Sequence, residues 1–340
     1  MVLKKLTEAS GIPGQEKEVR DILKAEIDGL VDRYWVDPLG NLLAVRGDRG
    51  PRVMLAAHMD EVGLIVTHID QKGGLRFSKV GGIEDQVLVS KRVLVGKDRL
   101  PGVIGAKPVH LQNHGEREHP IKSEDMYVDI GAKSREEAEK LAPPGTAMVF
   151  DTCYEALGER IVKAKALDDR AGCAALLEVL KEEYELTLCV AFTVQEELGL
   201  RGAGVAAYAL MPDMAVVLEG TTCADTPGAE ENEWSSQLGK GAVLSYMDRA
   251  SVSNRRMIEE MTRLGREQGI NYQFKRTTAG GNDAGRIHLT REGVPTASVS
   301  IPCRYIHSPV SVMSLDDSDS VVALVKAFLK SVEGGFLPND

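Results

Sequence analysis

Apolar and polar positions along this chain follow two rhythms, and the rhythm changes twice. Residues 15–30, QEKEVRDILKAEIDGL, place Val19, Ile22, Leu23, Ile27 and Leu30 on one face at helical spacing. Val53–Ala57 is instead an unbroken apolar run, the mark of a strand buried on both faces. From about residue 67 to 162 the pattern breaks into short β-like pieces split by glycine: Leu75–Val80, Val87–Val95, Val103–Ile104, Met126–Ile130 and Ala147–Phe150. One helical stretch, Ser134–Leu141, interrupts them, and Ser134 with Glu137 predicts a capping box. At Ala166 longer elements return. Helices are predicted over Asp169–Glu183, Ser253–Gln268 and Ser318–Leu329, and buried strands over Leu186–Val194, Met214–Leu218 and Thr296–Ser300. Gly269 stands just past the second of those helices as a stop signal. The organisation is a discontinuous α/β domain, residues 1–66 and 163–340, interrupted by a β-rich insert over 67–162.

Composition narrows the function classes. The 340 residues, 43% of them apolar, suffice for two domains with sizeable cores. A net charge of −10 repels phosphate backbones and argues against nucleic acid as a partner. The N-terminus, MVLKKLTEASGIPGQEKEV, has no apolar signal-like region, and no apolar stretch approaches bilayer-spanning length. A cytoplasmic protein without membrane partners is expected. Five scattered cysteines, Cys153, Cys173, Cys189, Cys223 and Cys303, form no CxxC pair and read as small buried hydrophobes in a reducing compartment.

Five short segments carry the candidate chemistry: AHMDEVG (57–63), LDDRAG (167–172), QEELG (195–199), VVLEG (216–220) and YIHSP (305–309). Four follow strand-like runs, and in an open α/β sheet the carboxyl ends of strands converge on one crevice. His58 and His307 offer imidazole nitrogen, while Asp168, Glu197 and Glu219 offer carboxylate oxygen. A mixed nitrogen and oxygen set without thiolate suits zinc, cobalt or manganese. Three crowded carboxylates make energetic sense only around a cation.

These blocks, with the DTPG segment, GGNDAGRIHLTREGVPT and PCRYIHSP, resemble in order and spacing the signature blocks of the M42 metallopeptidases, from about residue 5 to 335. The resemblance implies a three-layer α/β/α peptidase domain with a mixed sheet. The insert would be a small β-barrel-like, PDZ-like domain that contributes to dimerisation. It implies two divalent metal ions per subunit, with Asp168 bridging them, His58 and Glu219 completing one, and Glu197 and His307 completing the other. Glu196 would be the general base, and Asp60 would orient His58. The family often has Asp where this chain has Glu219, and Asp225 is the fallback ligand. Short peptides are the implied substrates, and dimers assembling into a dodecamer the implied quaternary structure.

The remaining histidines invite plainer readings. His68 and His288 read as structural, and His110, His114 and His119 as part of an exposed loop of the insert. Gly280–Gly285 lacks the ending of a phosphate loop and is expected to line the substrate pocket. Rival functions are an N-acyl amino acid deacylase on the same site, an endoglucanase, or a non-catalytic scaffold. Glycosidases need two carboxylates but no histidine and metal set, and a scaffold has no use for Glu196.

Overall fold

The apolar run at 53–57 becomes strand Arg52–His58, near the centre of a mixed sheet in a computed structural model that describes residues 1–339. Strands Thr187–Thr193, Arg52–His58, Met214–Thr222 and Thr296–Arg304 lie side by side and parallel, so their carboxyl ends share one edge of the sheet. Antiparallel strands flank them: Arg33–Val36 and Leu42–Arg46 on one side, Ser311–Ser314 and Ile161–Ala164 on the other. Strand Ala242–Ser245 branches from Thr296–Arg304 and carries Tyr272–Phe274 at its outer side.

The period of two along these strands divides them between two cores. Leu42, Ala44, Val53, Leu55, Val190, Phe192, Val216 and Leu218 face helices Lys17–Ile27, Leu167–Leu180, Arg255–Gln268 and Leu315–Glu333. Their neighbours Leu43, Val45, Met54, Ala56, Cys189, Ala191, Ala215 and Val217 face helices Arg201–Leu210 and Ala284–Ile287. The result is the three-layer α/β/α architecture. Helix Arg255–Gln268 shows how the sequence selects its place. Asn254 caps it by accepting from the Met257 N–H, Met257, Ile258, Met261 and Leu264 form its buried stripe, and Gly269 ends it at φ +66°. Each such side chain contributes about 1.5–3 kcal/mol by leaving water, so a charge at Met261 would undock the helix.

Six antiparallel strands close a separate barrel in the order Gly63–Ile69, Leu75–Val80, Tyr127–Asp129, Leu100–Gly105, Arg92–Val95 and Ala147–Phe150. Its own core includes Leu64, Val66, Leu75, Val93, Val128, Met148 and Phe150. The chain enters it directly from the His58 loop and returns to the main sheet at Ile161–Ala164.

Three local expectations need correction. Val87–Val95 is not one strand: a 3-10 turn, Asp85–Val87, precedes strand Arg92–Val95, and Ser90 at φ +66° breaks extended pairing between them. The capping box at helix Arg135–Leu141 is half formed. Ser134 Oγ accepts from the Glu137 N–H, but the Glu137 carboxylate accepts from the Lys133 N–H instead of returning to Ser134. Cys153 is exposed, because it lies in the irregular segment between barrel and sheet, while the other four cysteines are buried.

Candidate metal centre

The carboxyl edge of the parallel strands gathers the chemistry. His58 is the last residue of its strand, and Glu196 and Glu197 follow strand Thr187–Thr193. Glu219 lies within its strand, not after it, paired in register with Ser300. Asp168 opens helix Leu167–Leu180 after the turn from Ile161–Ala164, and His307 sits in the loop after Thr296–Arg304. The supporting backbone is unusual. Ala166, Gln195, Tyr305 and His307 all lie in the left-handed region, at φ +53°, +57°, +61° and +57°, and the Asp168–Asp169 peptide bond is cis. Left-handed backbone costs a non-glycine residue about 1–2 kcal/mol, and such residues gather where function over-determines the fold.

Asp168 is the hinge of the geometry. Its Oδ1 lies 3.3 Å from His58 Nε2, and its Oδ2 lies 3.6 Å from His307 Nε2. Glu219 Oε1 is 3.0 Å from His58 Nε2, and Glu197 Oε2 is 3.4 Å from His307 Nε2. Ligand atoms of His58, Asp168 and Glu219 all lie within 4.8 Å of one another, as do those of Asp168, Glu197 and His307, and those of His58, Glu196 and Glu197. Gly220 makes room for this, since a Cβ there would stand 2.7 Å from Asp168 Oδ1.

Asp60 is bound more widely than an orienting role for His58 requires. Its Oδ1 and Oδ2 accept the backbone N–H groups of Glu196 and Glu197, each at 3.0 Å. Its carbonyl oxygen lies 3.1 Å from His58 Nδ1, and its carboxylate 3.5 Å from the same nitrogen. Asp169 takes up the next position, accepting from the His58 N–H at 3.1 Å and the Gly172 N–H at 2.9 Å. Asp225 is held elsewhere by a bidentate pair with Arg304, at 2.9 and 2.8 Å, and by the Leu238 N–H.

The charges in this crevice oppose one another. Burial first, and then neighbouring carboxylates, push Glu196, Glu197 and Glu219 well above the ordinary carboxylate range. At His58 burial works against the charged ring, but Glu219, Asp168 and Asp60 outweigh it and hold its pKa well above the usual histidine value. Buried oxygens Asp168 Oδ1 and Glu219 Oε2 have no hydrogen-bond donor among the described residues. Unpaired buried carboxylate oxygens cost free energy; a cation is the group that would satisfy several at once. The donor set therefore fits divalent metal.

Residues not singled out in the sequence support the same crevice. Glu61, inside AHMDEVG, accepts two hydrogen bonds from Lys165 Nζ, at 2.8 and 2.7 Å, and one from Arg170 at 3.2 Å. Arg170 also donates to the Met59 carbonyl at 2.7 Å, and Lys165 to the Ala9 carbonyl at 2.7 Å. This buried ion triad straps the N-terminal segment to the Asp168 turn. Arg170 stands between the acidic pair and the apolar run AGCAALL, with no local pattern to mark its buried partner. Asp283 of the glycine-rich segment is also buried beside the cluster. It accepts from Thr193 Oγ at 2.5 Å, its Oδ1 has no donor among the described residues, and burial raises its pKa to about 6.

Comparison with known proteins agrees with the fold. A family model described as M42 glutamyl aminopeptidase matches residues 40–324. A provisionally named aminopeptidase of Acetivibrio thermocellus is 40% identical over 329 residues, covering 95% of this chain and 96% of the relative. The crystal structure of a TET aminopeptidase from a marine-sediment Thaumarchaeota archaeon superposes with a TM-score of 0.94 at 36% identity, covering 99% of this chain and 98% of that one. The Pyrococcus horikoshii TET1 peptidase, described as assembling into a tetrahedron or a large octahedral shell, gives 0.86 at 36% identity over 96% and 97% of the two chains. The match to the family model across most of the sequence, with that likeness of fold, makes this chain a member of the M42 family of aminopeptidases.

Proposed function

We propose that this chain removes N-terminal residues from short peptides with two divalent cations bound at the crevice, zinc or cobalt first and manganese as the further candidate. The observation that carries this reading is the division of Asp168 between two histidines, one carboxylate oxygen toward each. His58, Asp168 and Glu219 would hold one cation, and Asp168, Glu197 and His307 the other. Glu219 in place of the shorter acid brings the same ligating atoms on one more methylene. Bound there, the cations would supply Lewis acidity, lowering the pKa of water and stabilising negative charge on a carbonyl oxygen.

The chain's own groups do the rest. Glu196 takes a proton from the attacking water as its oxygen bonds to the scissile carbonyl carbon, and delivers it to the leaving amine as the C–N bond breaks. Asp60 fixes the Glu196 and Glu197 backbone through their two N–H groups, and its carbonyl sets the His58 ring so that Nε2 faces the carboxylates.

The insert would contribute to dimerisation, as the family resemblance implies, and the dodecamer described for a related TET1 peptidase supports a large homo-oligomer here. No helix among the described residues is long and apolar enough to cross a membrane. A screen of aminoacyl-p-nitroanilides tests the reading. Free amino termini should be cleaved, EDTA should abolish cleavage, and zinc or cobalt should restore it. Preference for N-acetylated substrates would point to a deacylase, and chelator-insensitive cleavage would remove the metal from the reaction.

A further inference from the structure

The insert touches the metal centre through one turn. Gly81 and Gly82 follow barrel strand Leu75–Val80 and pass directly over the half-site of Asp168, Glu197 and His307. A Cβ built on Gly82 would lie 3.2 Å from His307 Nδ1 and 3.7 Å from its Cε1. One built on Gly81, at φ +87°, would lie 3.3 Å from Glu197 Oε2 and 2.7 Å from a methyl carbon of Val62. A residue without a side chain thus leaves space at the Nδ1 edge of the imidazole, while Nε2 faces the two carboxylates.

The two histidines are held in different ways. His58 is 2% exposed, and Asp60 fixes its Nδ1 by a 3.1 Å contact. His307 has a side chain 40% exposed, and no hydrogen bond to its Nδ1 is formed among the described residues. The backbone that flanks the ring on that side is the glycine turn, and it leaves no room there for a side chain. The turn is itself tethered to the barrel, because Lys79 Nζ donates to the Ile83 carbonyl at 2.8 Å and to Asp85 at 2.7 Å. From this geometry we infer that Gly82 is a positioning residue: the Gly81–Gly82 turn fixes the imidazole of His307, and the seating of the insert thereby sets the affinity of the second half-site. The inference rests on the two-cation reading above and adds a dependence of one cation on the other domain.

The test is zinc binding, measured by titration calorimetry and by metal content after dialysis, in the full-length protein and four variants. Gly82→Ala should weaken one of the two zinc equivalents about 10–100-fold, the usual scale for disturbing the support of a metal ligand, and leave the other unchanged. In a His307→Ala background the same change should have no further effect on zinc, because the partner of the contact is gone. Gly131→Ala is the control: it lies in the insert at φ +78° with nothing within 4 Å of the added methyl, and should keep both equivalents. If Gly82→Ala does not fold, the double variant must fold as well as His307→Ala alone, since truncating the ring frees the space. The inference is overturned by two unchanged equivalents in Gly82→Ala, by an equal loss in Gly131→Ala, by a further loss in the His307→Ala background, or by a double variant that also fails to fold. Wild-type protein that binds fewer than two zinc ions would remove the two-cation reading itself, a result distinct from all of these.

Discussion

At the scale of single residues, the crevice separates groups that would bind metal from groups that would move protons. Glu196 is within 4.0 Å of His58 Nε2, yet its backbone is clamped by Asp60 and its carboxyl is poised above the ordinary range. Glu196→Gln should keep both metals and lower kcat about 10²–10⁴-fold, the usual size of general acid–base effects; metal content and p-nitroanilide turnover measured together check this. Asp225 has its lone pairs committed to Arg304 and the Leu238 N–H. Asp225→Ala should therefore retain two zinc equivalents, and loss of one would restore it as a ligand. The seven residues assigned from the sequence come together in space because they lie at or near the carboxyl edge of the parallel strands, with Glu219 inside its strand and Asp168 at the start of a helix. That much was legible in AHMDEVG, LDDRAG and QEELG. The Lys165–Glu61–Arg170 triad and the Gly81–Gly82 contact were not, because each joins residues far apart in sequence through packing that no local pattern records.

At the scale of elements, the runs that read clearly were those whose burial is decided by their own sequence. Strand Arg52–His58 and the stripe of helix Arg255–Gln268 are of this kind. Helix Arg201–Leu210 was invisible: RGAGVAAYAL holds two glycines and little apolar contrast, and it forms because Ala203, Ala206, Ala207 and Leu210 pack on the sheet. The ion triad joins the N-terminal segment to the Asp168 turn, and its three charges are all buried. Glu61→Ala should destabilise the protein by about 3–5 kcal/mol, because two buried cations lose their counterion; urea unfolding reads the loss. Asp317, in the first turn of helix Leu315–Glu333, accepts from the Gly239 and Gly241 N–H groups, each at 2.7 Å. Burial, with help from Asp316 and Asp225, raises its pKa from 3.8 to about 6. Between those values the folded state binds more protons than the unfolded one, so stability falls as pH rises through that window. The urea midpoint of the wild type should accordingly fall relative to that of Asp317→Asn from pH 4 to pH 6, while a constant difference would contradict the shift.

At the scale of the whole molecule, the chain leaves the α/β domain just after the first candidate ligand segment, builds a closed barrel, and returns just before the second. That order puts the barrel's Gly81–Gly82 turn against His307, so the two domains meet at the chemistry and not only at a linker. The sequence placed the change of texture near residues 67 and 162, whereas the barrel strands run from Gly63 to Phe150, and barrel closure was not readable. Strand Gly63–Ile69, which both opens the barrel and closes it against Ala147–Phe150, follows the HMDEV loop without a turn signal. Native mass spectrometry should find a large homo-oligomer built from dimers, and a monomer at micromolar concentration would contradict the proposed role of the insert. The central claim is that Asp168 bridges two cations. Anomalous diffraction from zinc-loaded crystals on both sides of the zinc absorption edge tests it most directly. Two peaks are expected, one among His58, Asp168 and Glu219 and the other among Asp168, Glu197 and His307. A single peak, or zinc held by His58, Glu196 and Glu197 away from Asp168, would contradict it.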